Sequence, residues 1–138
     1  MEREDLGALF ARITRRLIEA ERPLLEARGL SMWGYVVLSH LSHRPASTQL
    51  ALARAIGYDK TRLIGVLDDL ERDGLVTRVP DPADRRARIV ELTPAGRDRH
   101  RDARDDIGAM EDAFLGALSD GRRAALRRTL AQLAAEGE

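Results

Sequence analysis

The run LALARAIGYDKTRLIGVLDDLERDGLVTRVPDPADRRARIVELTPAG, Leu50 to Gly96, changes its hydrophobic period twice, and those changes decide the fold. Thr48 is placed to cap a short helix, Gln49 to Ile56, that stops at Gly57. Asp59 caps the next helix, in which Leu63, Val66, Leu67 and Leu70 share one face and Lys60, Thr61, Arg62, Asp68 and Asp69 are left to the other, until Gly74 closes it. The connection through Gly57, Tyr58 and Asp59 is short and contains glycine, as a helix-turn-helix requires. The period then drops to two. Leu75 to Val79 and Arg88 to Leu92 read as short strands around a long charged turn, Pro80 to Arg86. Thr93 as cap and Pro94 as first helical residue open a long helix, expected to reach about Leu118, because proline there sacrifices no hydrogen bond.

Helix, tight turn, helix, strand, charged turn, strand is the order of a winged helix-turn-helix. In that geometry the second helix enters the DNA major groove by its N-terminal residues, and a cationic wing reaches the flanking minor groove or phosphates. Lys60, Thr61 and Arg62 occupy the first turn of the recognition helix and are the candidate base or backbone contacts. Amides near Thr48 and Gln49 are positioned to hold a phosphate at a helix N-terminus. Arg85 and Arg86 sit at the wing tip, with Asp84 close enough to orient one of them, which lowers the entropy cost of inserting an arginine into a narrow groove. The competing reading is a solvated helix surface and a hairpin tip whose charges only discourage edge-to-edge pairing.

Outside this core the chain reads as helix. Leu6, Leu9, Phe10, Ile13, Leu17, Leu24 and Leu25 fall mostly three or four apart, with Pro23 expected to bend or divide the helix and Gly29 to stop it. Ser31 caps a mostly buried second helix through Trp33, Val36, Val37, His40 and Leu41, followed by a turn at His43 to Ala46. Ser119 starts a last helix carrying Leu126, Leu130 and Leu133. The apolar residues at the two ends, Phe10 and Ile13 with Phe114, Leu126 and Leu130 among them, exceed what a small winged helix covers and call for a partner surface. The fold class is therefore mainly α with a small β-hairpin, in one domain.

Composition narrows the function. The 138 residues carry 23 basic and 23 acidic side chains and no cysteine, so thiol chemistry, disulfides and thiolate metal sites are excluded. Charge balance does not announce nucleic acid, although Arg78 to Arg104 hold eight arginines against five acids. Nothing resembles a signal peptide or approaches the ~20 apolar residues of a membrane span, so a cytoplasmic protein without membrane contact is expected. No glycine-rich phosphate loop, nucleophile elbow or catalytic triad is present, no cofactor is called for, and a non-enzymatic function is expected. His40 and His43, three apart, and His100 are a weak metal signal opposed by neighbouring arginines, and no metal site is expected.

The motifs LERDGLV, DPADRR and ELTPAG, in that order and spacing, resemble the DNA-binding region of the MarR (multiple antibiotic resistance regulator) family, strongly over Thr48 to Gly96. The resemblance implies a winged lobe at about 47–93 flanked by dimerisation helices at about 1–46 and 94–138. It implies a homodimer on a pseudo-palindromic operator in double-stranded DNA, a repressor released by a small aromatic or anionic effector. Arg86 matches the family's minor-groove arginine, Asp84 its supporting acid, and Lys60 to Arg62 the recognition-helix start. Trp33 and Tyr35, with Arg15 or Arg16, are candidate effector-cleft residues, against the plainer reading of Trp33 as core. One departure is Ile64-Gly65, where relatives often carry a polar residue and an arginine; glycine there costs roughly 1 kcal/mol of helix propensity. That departure and the zero net charge leave one alternative, a winged-helix protein-interaction module without DNA binding.

Overall fold

A computed structural model describes residues 3–44 and 46–135. Among them the order is α1 (Leu6–Ala27), α2 (Met32–His43), β1 (Ala46–Thr48), α3 (Gln49–Ile56), α4 (Lys60–Arg72), β2 (Val76–Asp81), β3 (Asp84–Leu92), α5 (Pro94–Phe114) and α6 (Asp120–Ala135). The caps expected from sequence set the helix starts. Ser31, Thr48, Asp59 and Thr93 each accept a backbone N–H three residues on, from Gly34, Ala51, Arg62 and Gly96. Gly57, at φ +68°, lets α3 end and the chain re-enter a helix within three residues.

Three elements differ from expectation. β1 was not foreseen: Ser47 pairs with Val90 and Thr48 with Ile89, so Thr48 both ends a strand and caps a helix. The hairpin is longer than its apolar pattern, because β2 continues through Pro80 and β3 begins at Asp84, leaving only Pro82 and Ala83 as the turn. Proline is tolerated there because β2 is an edge of the β1-β3-β2 sheet, and the ladder shifts register at Pro80/Asp81. α5 stops at Phe114 rather than near Leu118. α1 runs through Pro23 undivided. Of the turn expected at His43 to Ala46, Pro45 lies outside the described residues, and Ala46 already belongs to β1.

The core forms where α2 crosses the other elements. Val37, Leu38 and Leu41 of α2 are fully buried with Leu52 of α3, Leu63 and Leu67 of α4, Leu75 just before β2, and Val76 and Val90 of the sheet. Each such leucine contributes about 2 kcal/mol by leaving water. The outer helices contribute little to this core: within the described chain α6 has no buried residue and α1 only Leu25. Leu6, Phe10, Ile13, Leu130 and Leu133 stay exposed.

α5 joins the sheet through one close approach. The Leu75 carbonyl accepts the Thr93 N–H at 3.1 Å, the Thr93 hydroxyl donates to the Gly74 carbonyl, and a Cβ on Gly96 would lie 2.0 Å from the Leu75 oxygen. Backbone cannot give way as a side chain can. Gly96→Ala should therefore lose about 3 kcal/mol of stability in urea unfolding, and a wild-type midpoint would show that α5 stands off β2.

His100 of α5 is buried against α2, its Nε2 3.0 Å from Ser39 Oγ and its ring stacked on Tyr35 with centroids 5.4 Å apart. Burial, then Arg104 and His43, hold its pKa below the ordinary 6.5. The unfolded chain thus takes up the proton first, and folding stability should fall as pH drops below about 6.5 until the folded-state value is passed. His40 is shifted the same way, by burial, Arg44 and His43. His100→Gln should flatten, without abolishing, the loss of urea midpoint between about pH 7 and pH 5.5. An unchanged slope would remove His100 from the account.

Candidate nucleic-acid interface

The start of the recognition helix is fixed from both sides. Asp59 Oδ2 accepts the Arg62 N–H at 2.8 Å, so this carboxylate is a cap. Tyr58 donates its N–H to the Ala53 carbonyl at 2.9 Å and stacks its ring on Trp33, centroids 3.9 Å apart and planes 18° from parallel. Lys60, Thr61 and Arg62 follow on the exposed first turn, where the helix dipole adds positive potential.

In the wing, Asp81 Oδ1 accepts the Ala83 N–H at 2.9 Å and Asp84 Oδ1 accepts the Arg86 N–H at 3.0 Å. Asp84 therefore braces the backbone of Arg86, and among the described residues no hydrogen bond or ion pair joins it to an arginine side chain. Arg85 and Arg86 belong to the first residues of β3, not to a loop, so strand alternation sends them to opposite faces and puts Arg88 on the face of Arg86. A groove of about 440 Å³ between the wing and the starts of α3 and α4 is lined by Thr48, Gln49, Lys60, Asp84, Arg86 and Arg88 among others. Five of the sequence candidates are brought together there; Thr61, Arg62 and Arg85 are not among its lining residues. Arg88 was missed, although the period of two between Arg86 and Arg88 could have found it.

Several arginines elsewhere are ion-paired, and these are not. Among the described residues, ion pairs engage Arg12, Arg28, Arg72, Arg78, Arg101, Arg123 and Arg127. Lys60, Arg62, Arg85, Arg86 and Arg88 are outside that set. Arg78 of β2, with a side chain only 16% exposed, reaches Asp68 and Glu71 of α4, and its Nη1 lies 3.4 Å from Gln49 Oε1. Its N–H also donates to Glu71 Oε2 at 3.2 Å. The Arg78 side-chain hydrogen bond holds the Glu71 carboxyl below its usual range. One cation thus ties wing to recognition helix and offsets part of the charge of two acids on its outer face.

The residues suggested for an effector cleft are not brought together. Tyr35 lines a cleft of about 530 Å³ with Glu21, Arg104, Ile107 and Glu111, between α1, α2 and α5. Burial, then Glu111, raises the Glu21 carboxyl. Trp33 is committed to Tyr58, whereas Arg15 lines an open face of α1 beside Phe10, Thr14 and Ile18. The Arg16 guanidinium lies 4.8 Å from the Phe114 ring centroid. His43 Nδ1 lies 2.9 Å from the Ser39 carbonyl and His100 faces the Ser39 hydroxyl, and no three His, Asp or Glu side chains converge among the described residues.

A recognition helix and wing that present free cations around one groove define a winged helix-turn-helix DNA-binding regulator. The MarR family profile matches residues 26–87, from the end of α1 into the wing. A MarR-family transcriptional regulator from Rhodococcus sp. RHA1 superposes with a TM-score of 0.83 at 29% identity, over 95% of this chain and 93% of that one. CouR from Rhodococcus jostii RHA1, solved bound to p-coumaroyl-CoA, superposes at 0.79 with 26% identity over 98% and 95%. A protein of Thauera aromatica described as a transcriptional regulatory protein for the hcr operon is 29% identical over 112 residues, 81% of this chain and 68% of that protein. In sequence over residues 26–87 and in fold over nearly its whole length, the chain is similar to MarR-family transcriptional regulators.

The Arg78 bridge yields a test. Arg78→Met should cost about 1 kcal/mol of stability, since its acidic partners are half exposed. It should also weaken DNA binding, and Asp68→Asn with Glu71→Gln in the same chain should restore much of that binding without restoring the wing tether. Failure of the neutralised triple variant to recover any affinity would show that the tether, not the charge, is what matters.

Proposed function

We propose that two copies of this chain bind a pseudo-palindromic operator as a homodimer and repress transcription by occupying a promoter, until a small aromatic or anionic effector releases them. The observation that carries the DNA-binding part is the groove that joins Lys60, Arg86 and Arg88 to the starts of α3 and α4. In this reading Lys60, Thr61 and Arg62 address the major groove, amides at Thr48 and Gln49 hold a phosphate, and Arg86 enters the minor groove from a backbone that Asp84 stiffens. Arg85, on the opposite strand face, serves an adjoining phosphate. The protein acts where the chromosome is, in the cytoplasm.

Dimerisation is supported by the apolar groove of about 370 Å³ among α1, α5 and α6, lined by Phe10, Ile13, Leu17, Phe114, Leu126 and Leu130 among others. A monomer would leave it in water. For the effector, the cleft beside Tyr35 is the better candidate than the surfaces that hold Trp33 and Arg15, and CouR's bound p-coumaroyl-CoA supports an aromatic, anionic class. Such a ligand acts by favouring one spacing of the two recognition helices over another.

Selection of bound genomic fragments with and without candidate metabolites tests the reading. A recovered inverted repeat should bind with an affinity that falls steeply with salt. Arg86→Ala should weaken it by about 1–3 kcal/mol, and Lys60→Ala should lower the salt slope by roughly one for each phosphate left without its cation. Leu130→Asp should produce monomers in sedimentation and lose operator binding with them. If Arg62→Ala and Arg86→Ala both bind as wild type does, the groove assignment is wrong, and raised transcription from a promoter template on adding protein would replace repression by activation.

A further inference from the structure

The middle of α4 carries two residues that neither the fold nor water favours. Ile64 is 43% exposed on the outer side of the recognition helix, on the wall of a groove it shares with Gln49, Glu71, Arg78 and Arg88. Gly65 follows it inside a regular helix, where glycine is disfavoured. Nothing among the described residues calls for that glycine: a Cβ there would meet no atom within 4 Å outside the helix's own backbone, and its φ is not left-handed. Free space around Gly65 and an apolar side chain left in water beside it form one small uncharged spot. Lys60 and Thr61 lie one turn before it, and Asp68, held by Arg78, one turn after.

Neither residue has a donor for guanine O6 or N7, so this spot cannot read guanine as an arginine would. The major groove does display one apolar group, the 5-methyl of thymine, and apolar side chains are its usual contact. We infer that Ile64 reads the thymine 5-methyl at one position of each half-site, while Gly65 leaves room for the base edge to approach the helix backbone. This rests on the DNA-binding reading above and adds the chemistry of one operator position to it. The position is A·T, recognised by shape and methyl rather than by hydrogen bonds.

Removing the methyl without altering base pairing tests the contact. In the operator recovered from genomic selection, thymines are replaced by deoxyuridine, one symmetric pair at a time, and affinity for the full-length protein is measured. One pair should weaken wild type about fourfold per half-site, the scale of one buried methyl, with little change elsewhere. Ile64→Ala should bind the thymine operator more weakly and be indifferent to uracil at that pair, while melting as wild type does because Ile64 is outside the core. Gly65→Ala should melt higher yet bind the operator less tightly, with binding to unrelated duplex unchanged. Indifference of wild type to every uracil pair, or an undiminished uracil penalty in Ile64→Ala, overturns the inference while the DNA-binding reading stands. Recovery of no genomic fragment overturns both, and is seen before any uracil duplex is made.

Discussion

Burial of one face of α4 is the constraint on which the rest of the structure depends. Leu63, Leu67 and Leu70 are sunk against α2 and α3, and a helix held that way has no freedom to rotate. Everything polar or odd in its sequence must then lie on the other side: Lys60, Thr61 and Arg62 at the start, Ile64 and Gly65 in the middle, Asp68 and Asp69 beyond. The recognition surface is what the core leaves over. Because α2 supplies the floor for this burial and also packs on α5, the recognition helix and the long helix α5 are joined through direct contacts with one element.

Electrostatics then separates arginines that build from arginines that remain available. A chain with zero net charge has no global field to draw DNA, so local placement has to do it. Arg78 shows how: spending one cation on Asp68 and Glu71 offsets part of their charge, while Lys60, Arg86 and Arg88 outnumber Asp81 and Asp84 in the groove beside them. Arg28 plays the structural part elsewhere, binding Asp106 across α1 and α5 at 2.7 Å, while Arg99 Nη1 donates to the Arg28 carbonyl, also at 2.7 Å.

Much of this was legible in the sequence because it rests on local chemistry. Ser31, Thr48, Asp59 and Thr93 announce helix starts within one turn, and the apolar face of α4 needs only its own period. What was hidden depends on partners distant in the chain. β1 has three residues and exists only because β3 offers Val90 and Ile89. The first half of β3, Asp84 to Arg88, has no apolar alternation to betray a strand, and Asp84 points its carboxylate at an amide that only the folded wing presents. Trp33 suits a ligand cleft or, more plainly, a core, and its partner in the fold, Tyr58, comes from the turn of the helix-turn-helix. The sequence motif carried the family resemblance while leaving these tertiary commitments unread.

If an effector binds as proposed, those commitments set how it reaches the recognition helix. α2 is a rigid helix whose first turn carries Trp33, stacked on the residue just before the Asp59 cap of the recognition helix. Two residues on, Tyr35 lines the proposed effector cleft and stacks on His100, and Ser39 meets the same imidazole. A ligand that displaces Tyr35 therefore pushes on the element that also holds the start of α4, over a path of direct contacts with no flexible segment between them. In the proposed dimer, a small rotation at each Trp33–Tyr58 contact would change the separation of two recognition helices that must match a fixed half-site spacing. Coupling of this kind needs a differential fit of the ligand to two spacings, not a large movement, and stiff packing is what converts the one into the other.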